Sequence, residues 1–186
     1  MKRILKVFYM FLFHPVLFFK YSIKKDSKGL LVKGTANNLH TKGLIIGKNV
    51  RFGNNIRIDF YAHGKLRIGN NCYFVNNNTF LVGDDIIIGD KVLVASDVLI
   101  ASENHIPNPE SDNIYGELAF KPVVIESGCW IAEKVCIMPG VKIGKYSVIG
   151  AASVVTKDIP AYSIAVGNPA RVIKKYNLNN HLWESL

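Results

Sequence analysis

The chain has 186 residues, 49% of them hydrophobic, and a formal net charge of +9. That length suits one domain with an extension, and that composition supports a substantial core. Seven basic residues (Lys2, Arg3, Lys6, Lys20, Lys24, Lys25, Lys28) and one acid (Asp26) fall in residues 1–28, so the positive excess sits at one end of the chain. A nucleic-acid binder spreads its cations over a folded face with aromatics between them, and no nucleic-acid partner is expected.

Residues 4–23 read ILKVFYMFLFHPVLFFKYSI, and the longest uncharged run, 7–19, contains His14 and Pro15. A spanning helix needs about 20 apolar residues, so this run is short for one, and it lacks a small-residue cleavage site. Two readings stay open for 1–28. The segment lies in a membrane interface, with its lysines on anionic headgroups, or it caps the end of the domain that follows.

From residue 46 onward an aliphatic or aromatic residue recurs every sixth position. Ile46, Phe52 and Ile58 form one triplet, and Ile68, Phe74 and Phe80 a second. Ile88, Val94 and Ile100 follow, then Ile125, Ile131 and Ile137, then Ile143, Ile149 and Val155. A period of six fits neither a strand nor a helix; it marks a solenoid in which only the stack of repeats buries a core. Small or branched residues follow four positions after each, as at Cys129, Val135, Val141, Ser147, Ser153 and Ile159, where a tight corner is expected. Three hexads make one triangular coil, with short strands as its sides and Gly, Asn and Asp at its corners. The frame slips slightly after Ile58 and after Phe80, and by far the most after Ile100, which predicts one long loop over 106–122.

The three cysteines show no metal-ligand or CxxC spacing; Cys72 and Cys129 occupy small-corner positions and read as buried, reduced thiols of a cytoplasmic protein.

This hexad pattern resembles the hexapeptide-repeat acyltransferases, and the resemblance covers about residues 40–175. It implies an all-β fold, the left-handed parallel β-helix, although the general rule for parallel crossovers is right-handed. It also implies a homotrimer.

The string Ala101-Ser102-Glu103-Asn104-His105 leads into the long loop. In the sugar O-acetyltransferases of this family a histidine at this point is the catalytic base, and IASENHIPNPE looks like their motif. The resemblance therefore implies that His105 is the general base. The chemistry suits imidazole, which accepts a hydroxyl proton near neutral pH. Asn104 beside it, and Asn76 and Asn77 one coil earlier, are the acceptor-binding candidates. Asn78, on a small-corner position, reads as a turn-forming amide, and a purely structural role for the whole cluster stays open. The remaining histidines, His14, His40, His63 and His181, lack such a setting. No second histidine stands near His105, so the zinc site of the hexapeptide-type carbonic anhydrases is set aside and no metal is expected.

The stretch GCWIAEKVCIMPGVKIGKYSVIGAASVVTKDIPAYSIAVGNPARVIKKY resembles the end of hexapeptide acetyltransferases that use acetyl-CoA. The contacts implied by that resemblance are Trp130 on the pantetheine arm, Ala151 through its backbone, Thr156 and Lys157 near the far end, and Arg171 and Lys174 near the phosphates. Residues 176–186 are expected to form a helical tail with Leu178, Leu182 and Trp183 as its apolar side.

The expected activity is O-acetylation of a sugar in lipopolysaccharide or capsule synthesis. The expected location is the cytoplasm, with peripheral contact of residues 1–25 with the inner membrane. N-acylation of an amino sugar, and a non-catalytic scaffold in which His105 faces solvent with no groove beside it, are the alternatives.

Overall fold

A computed structural model describes residues 43–110, 112 and 116–186, with the backbone of 31–32 and 36–37. The expected interfacial or capping role of 1–28, and the positions of His14 and His40, lie outside the described residues.

The hexads wind into about five triangular coils with parallel strands on three faces. Face one stacks Leu44–Ile46, Leu66–Ile68, Ile86–Ile88, Val123–Ile125 and Lys142–Ile143. Face two begins with Leu31–Val32 and Arg51–Phe52 and continues through Tyr73–Phe74, Leu93–Val94, Trp130–Ile131, Val148–Ile149 and Ser163–Val166. Face three stacks Ala36–Asn37, Ile56–Phe60, Thr79–Val82, Leu99–Ala101, Cys136–Ile137 and Val154–Val155.

The strands are short because three straight sides must close within about eighteen residues. Each side then turns one or two side chains inward, and stacked coils place the inward residues above one another. Ile46 pairs with Ile68, Ile68 with Ile88, Ile88 with Ile125, and Ile125 with Ile143. Phe52 likewise pairs with Phe74, Phe74 with Val94, Val94 with Ile131, and Ile131 with Ile149. Each triplet read from the sequence is one coil of this core. Burying an aliphatic of this size contributes about 1.5–3 kcal/mol, so the ladders dominate stability.

Ile159 departs from the expected corner role. It bridges Ile143 and so continues the face-one ladder, because the last coil is shortened.

The corners are made by residues in the left-handed region. Between faces one and two these are Asn49, Asn71, Lys91, Gly128, Tyr146 and Tyr162; between faces two and three they are Asn55, Asn77, Asp97, Lys134, Ala152 and Gly167. Asparagine tolerates this conformation best among residues with a side chain. Corner amides also link successive coils: Asn55 Nδ2 donates to Asn77 Oδ1 at 3.1 Å, and Asn77 Nδ2 to Asp97 Oδ1 at 2.9 Å. Every slip of the hexad frame falls on the remaining edge, between faces three and one, so that this edge alone carries insertions among the described coils.

The tail is not helical. Arg171–Asn177 folds back antiparallel on Ser163–Val166, and Leu182–Ser185 pairs antiparallel with Arg171–Asn177. The Asn-rich turn explains the difference. Asn179 N–H donates to Asn177 Oδ1 and Leu182 N–H to Asn180 Oδ1, while His181 takes φ 59°. Such side-chain bonds compete with helical ones and favour a turn. Trp183 then meets Tyr176 edge-on, with ring centroids 5.2 Å apart.

Candidate active site

The largest insertion leaves the end of Leu99–Ala101 as a two-stranded antiparallel arm rather than an irregular loop. Glu103–Ile106 pairs with Glu117–Phe120, and His105 stands opposite Leu118. Residues 111 and 113–115, inside the expected 106–122 loop, lie outside the described residues.

His105 is exposed on this arm, and its imidazole makes no hydrogen bond among the described residues. Its backbone N–H donates to Asn104 Oδ1 at 2.9 Å, which ties the Asn104 amide to the chain. An exposed, unengaged imidazole is free to accept a proton from an incoming hydroxyl.

The root of the arm is tightly built. Ser102 is fully buried, and its Oγ accepts the N–H groups of Gly83 at 3.1 Å and Asp84 at 3.2 Å. The hydroxyl lies 2.7 Å from the Asp84 carbonyl, to which it donates. Lys121 N–H closes the other end of the arm onto the Ser102 carbonyl at 3.0 Å. At Gly83 a Cβ would overlap the Phe120 ring, so the arm lies directly against the corner of the preceding coil. Sequence reasoning assigned Ser102 no role; the available signal was a small polar residue directly behind an aliphatic strand.

The asparagine candidates sit elsewhere. Asn76 and Asn77 form the corner between faces two and three, while the arm leaves the edge between faces three and one. One chain does not bring them to His105. Asn77 uses both amide atoms in the corner ladder. Asn76 Oδ1 accepts Asn54 N–H at 2.8 Å, and its Nδ2 has no partner among the described residues. Asn78 is buried, with Oδ1 accepting Val98 N–H and Nδ2 donating to the Val75 carbonyl, as a turn-forming amide should.

The six residues near the C-terminal end divide among three places. Trp130, 48% exposed, lies on face two in register with Val148, which is in register with Ile164, and Ile164 is registered with Lys174. Ala151 and Arg171 both lie towards the edge between faces two and three: Arg171 pairs with Val166, and Ala151 directly follows Gly150, whose N–H donates to the Ala165 carbonyl at 2.9 Å. The turn 167–170 that joins these strands contains a cis Asn168–Pro169 bond. Thr156 and Lys157, both exposed, lie at the far end of Val154–Val155. An apolar row beside an exposed backbone corner, with cations at hand, fits a long ligand with an anionic end.

A cavity of about 330 Å³ opens at the C-terminal end of face one, between Glu126, Lys142 and residues 158–161. Two of its charges pair with each other, and Asp158 Oδ1 accepts the Lys142 N–H at 2.8 Å. Lys142 Nζ pairs with Glu126 at 2.8 Å. That bond and the Lys145 N–H hold the Glu126 carboxyl below its usual range. None of its lining residues belongs to the arm that carries His105.

Residues 122–157 match the family model described as bacterial transferase hexapeptide (six repeats). The galactoside O-acetyltransferase of Escherichia coli (strain K12) is 52% identical over 62 residues, 33% of this chain and 30% of that protein. This chain spans less than a third of the length of the curated relatives it matches. A maltose O-acetyltransferase from Clostridium difficile 630 superposes with a TM-score of 0.52 at 35% identity, covering 80% of this chain and 67% of that one. A hexapeptide-repeat acetyltransferase from Vibrio cholerae O1 biovar eltor, complexed with acetyl coenzyme A, gives a TM-score of 0.55 at 26% identity, over 84% and 76% of the two chains. The fold is thus the left-handed parallel β-helix. The chain belongs to the bacterial hexapeptide-repeat transferase family.

Proposed function

We propose that this protein transfers the acetyl group of acetyl-CoA to a sugar hydroxyl, with His105 as general base. The observation that carries this reading is the place of His105 at the start of the largest insertion of the described coils, with an imidazole that makes no hydrogen bond among the described residues. Its support from relatives is the similarity to galactoside and maltose O-acetyltransferases and to an acetyltransferase crystallised with acetyl-CoA.

The chemistry follows from the residue. A sugar hydroxyl is a poor nucleophile until its proton is removed. His105 takes the proton as the hydroxyl oxygen attacks the thioester carbonyl. The tetrahedral intermediate collapses with cleavage of the C–S bond, and the imidazolium returns the proton to the leaving thiolate. The products are an acetyl ester and free CoA. Direct transfer of this kind relies on holding both substrates together, which supplies much of the acceleration. Backbone N–H groups beside the thioester would stabilise the oxyanion.

For the donor, Trp130 would lie against the pantetheine arm and Ala151 would bond it by its backbone. Thr156 and Lys157 would meet its far end, and Arg171 and Lys174 its phosphates. Asn76 and Asn104 are the acceptor-side candidates: Asn76 Nδ2 has no partner among the described residues, whereas Asn77 spends both amide atoms in the corner ladder.

A homotrimer completes this account. In one chain His105 stands on an open arm and the Trp130 row is uncovered, so neighbouring copies would supply the facing walls. The acceptor class we favour is a surface polysaccharide or its lipid-linked precursor, lipopolysaccharide or capsule. Residues 1–25, basic and aromatic, would hold the enzyme at the inner face of the membrane beside such acceptors.

The test is acetyl-CoA turnover over a panel of mono- and oligosaccharides and their amino-sugar counterparts. Thiol release with hydroxyl acceptors supports the proposal. Turnover confined to amino sugars establishes N-acylation instead, and absence of both turnover and CoA binding establishes a scaffold.

A further inference from the structure

We infer that Ser102 is the positioning residue for His105, an inference that rests on the reading of His105 as general base. Among the described residues, few polar side chains are buried in this aliphatic coil, and Ser102 is one of them. The others, Asn78, Ser147, Ser153 and Ser163, lie at corners or on face two and carry no insertion. Ser102 stands where three segments meet: the corner of the preceding coil, the entry of the arm and its exit.

Each segment is bound to it. The Oγ accepts Gly83 and Asp84 N–H and donates to the Asp84 carbonyl. The backbone N–H of Ser102 donates to the Leu81 carbonyl at 2.9 Å, and its carbonyl accepts Lys121 N–H at 3.0 Å. The side chain thus ties the 83–84 turn to the entry of the arm, and the backbone carbonyl of the same residue ties that entry to the exit. Gly83 completes the seat, since only a residue without Cβ lets the Phe120 ring and Glu103 lie against this turn. His105 is three residues from Ser102 on an otherwise exposed strand. The direction of the arm, and with it the place of the imidazole, is therefore set at its root.

An alanine at 102 keeps the fold's volume but leaves two N–H groups without their acceptor, and the turn beneath the arm relaxes. A misplacement of about 1 Å at a reacting group costs on the order of a hundredfold in rate. The inference predicts a loss in kcat, not in donor binding, because the donor candidates lie on other elements.

The experiment measures kcat and KM for acetyl-CoA, with the acceptor identified by the panel, for Ser102→Ala and Gly83→Ala. Each is made alone and with His105→Ala. The expected result is a fall in kcat of about tenfold or more for each single variant with KM for acetyl-CoA changed by less than about twofold. In the His105→Ala background neither substitution should lower the residual rate further, since residues acting through one another are not additive. Single variants with wild-type kcat, or losses that multiply with that of His105→Ala, overturn the inference while the base assignment stands. A fully active His105→Ala instead removes the base assignment and this inference with it. Should Ser102→Ala not fold, as read by its thermal midpoint, the Gly83→Ala pair decides the matter from the opposite side of the seat.

Discussion

The Sγ of Cys129 lies 3.2 Å from the carbonyl oxygen of Gly144, one coil further along the stack, and the thiol donates to it. Burial pushes this thiol from 9.0 up to about 11. Burial raises Cys72 in the same direction. An unfolded thiol releases its proton near pH 9, while the folded one keeps it to about 11. In that window the native state binds more protons than the unfolded state, so stability falls as pH rises. At about 1.4 kcal/mol per pKa unit, Cys129 should account for about 2–3 kcal/mol across it. Denaturant titrations at pH 8 and near pH 11 measure this. Cys129→Ala should flatten the difference in part, since burial of Cys72 acts in the same direction; a slope identical to that of the parent chain would contradict it.

Phe74 is fully buried, stacked on Phe52 with centroids 5.0 Å apart and edge-on to Phe80 at 5.6 Å. Phe74→Ala removes the centre of this aromatic stack and leaves a cavity between two coils. The expected cost is about 3–5 kcal/mol, read from the denaturant midpoint. A cost below about 1 kcal/mol would mean that the coils do not stack in this register.

Asn76 and Asn77 separate two roles that look alike in sequence. Asn77→Ala breaks two amide links and leaves alanine at φ 59°. It should lower stability by about 1–2 kcal/mol, with the acceptor KM unchanged. If the acceptor contacts this corner, it does so through the free Nδ2 of Asn76, and Asn76→Ala should raise the acceptor KM severalfold while leaving KM for acetyl-CoA alone. Steady-state kinetics of both variants distinguish the roles.

The core ladders were legible because the inward residue of each short side is set by local geometry, and Ile125, Ile131 and Ile137 repeat it without interruption. The corner amides were legible as turn formers, but not as a ladder: the partner of Asn77 is Asp97 on one side and Asn55 on the other, which only the winding of the coil reveals. The tail misled for a related reason. Leu178 and Leu182 have helical spacing, yet the intervening asparagines close a turn on their own side chains, and the pairing of Tyr176 with Trp183 decides for a hairpin. The arm was visible as an interruption and His105 as its distinguishing residue. Its strand pairing and its buried anchor at Ser102 were not, since an exposed two-stranded arm carries little apolar alternation and Ser102 finds its partners on the previous coil.

The most direct measurement for the proposed chemistry is release of CoA thiol from acetyl-CoA in the presence of the best sugar acceptor, compared between the parent chain and His105→Ala. Loss of a general base should lower kcat by about 10²–10⁴-fold while leaving CoA affinity, measured by calorimetry, intact. A His105→Ala protein that transfers acetyl groups at the parent rate would contradict the account.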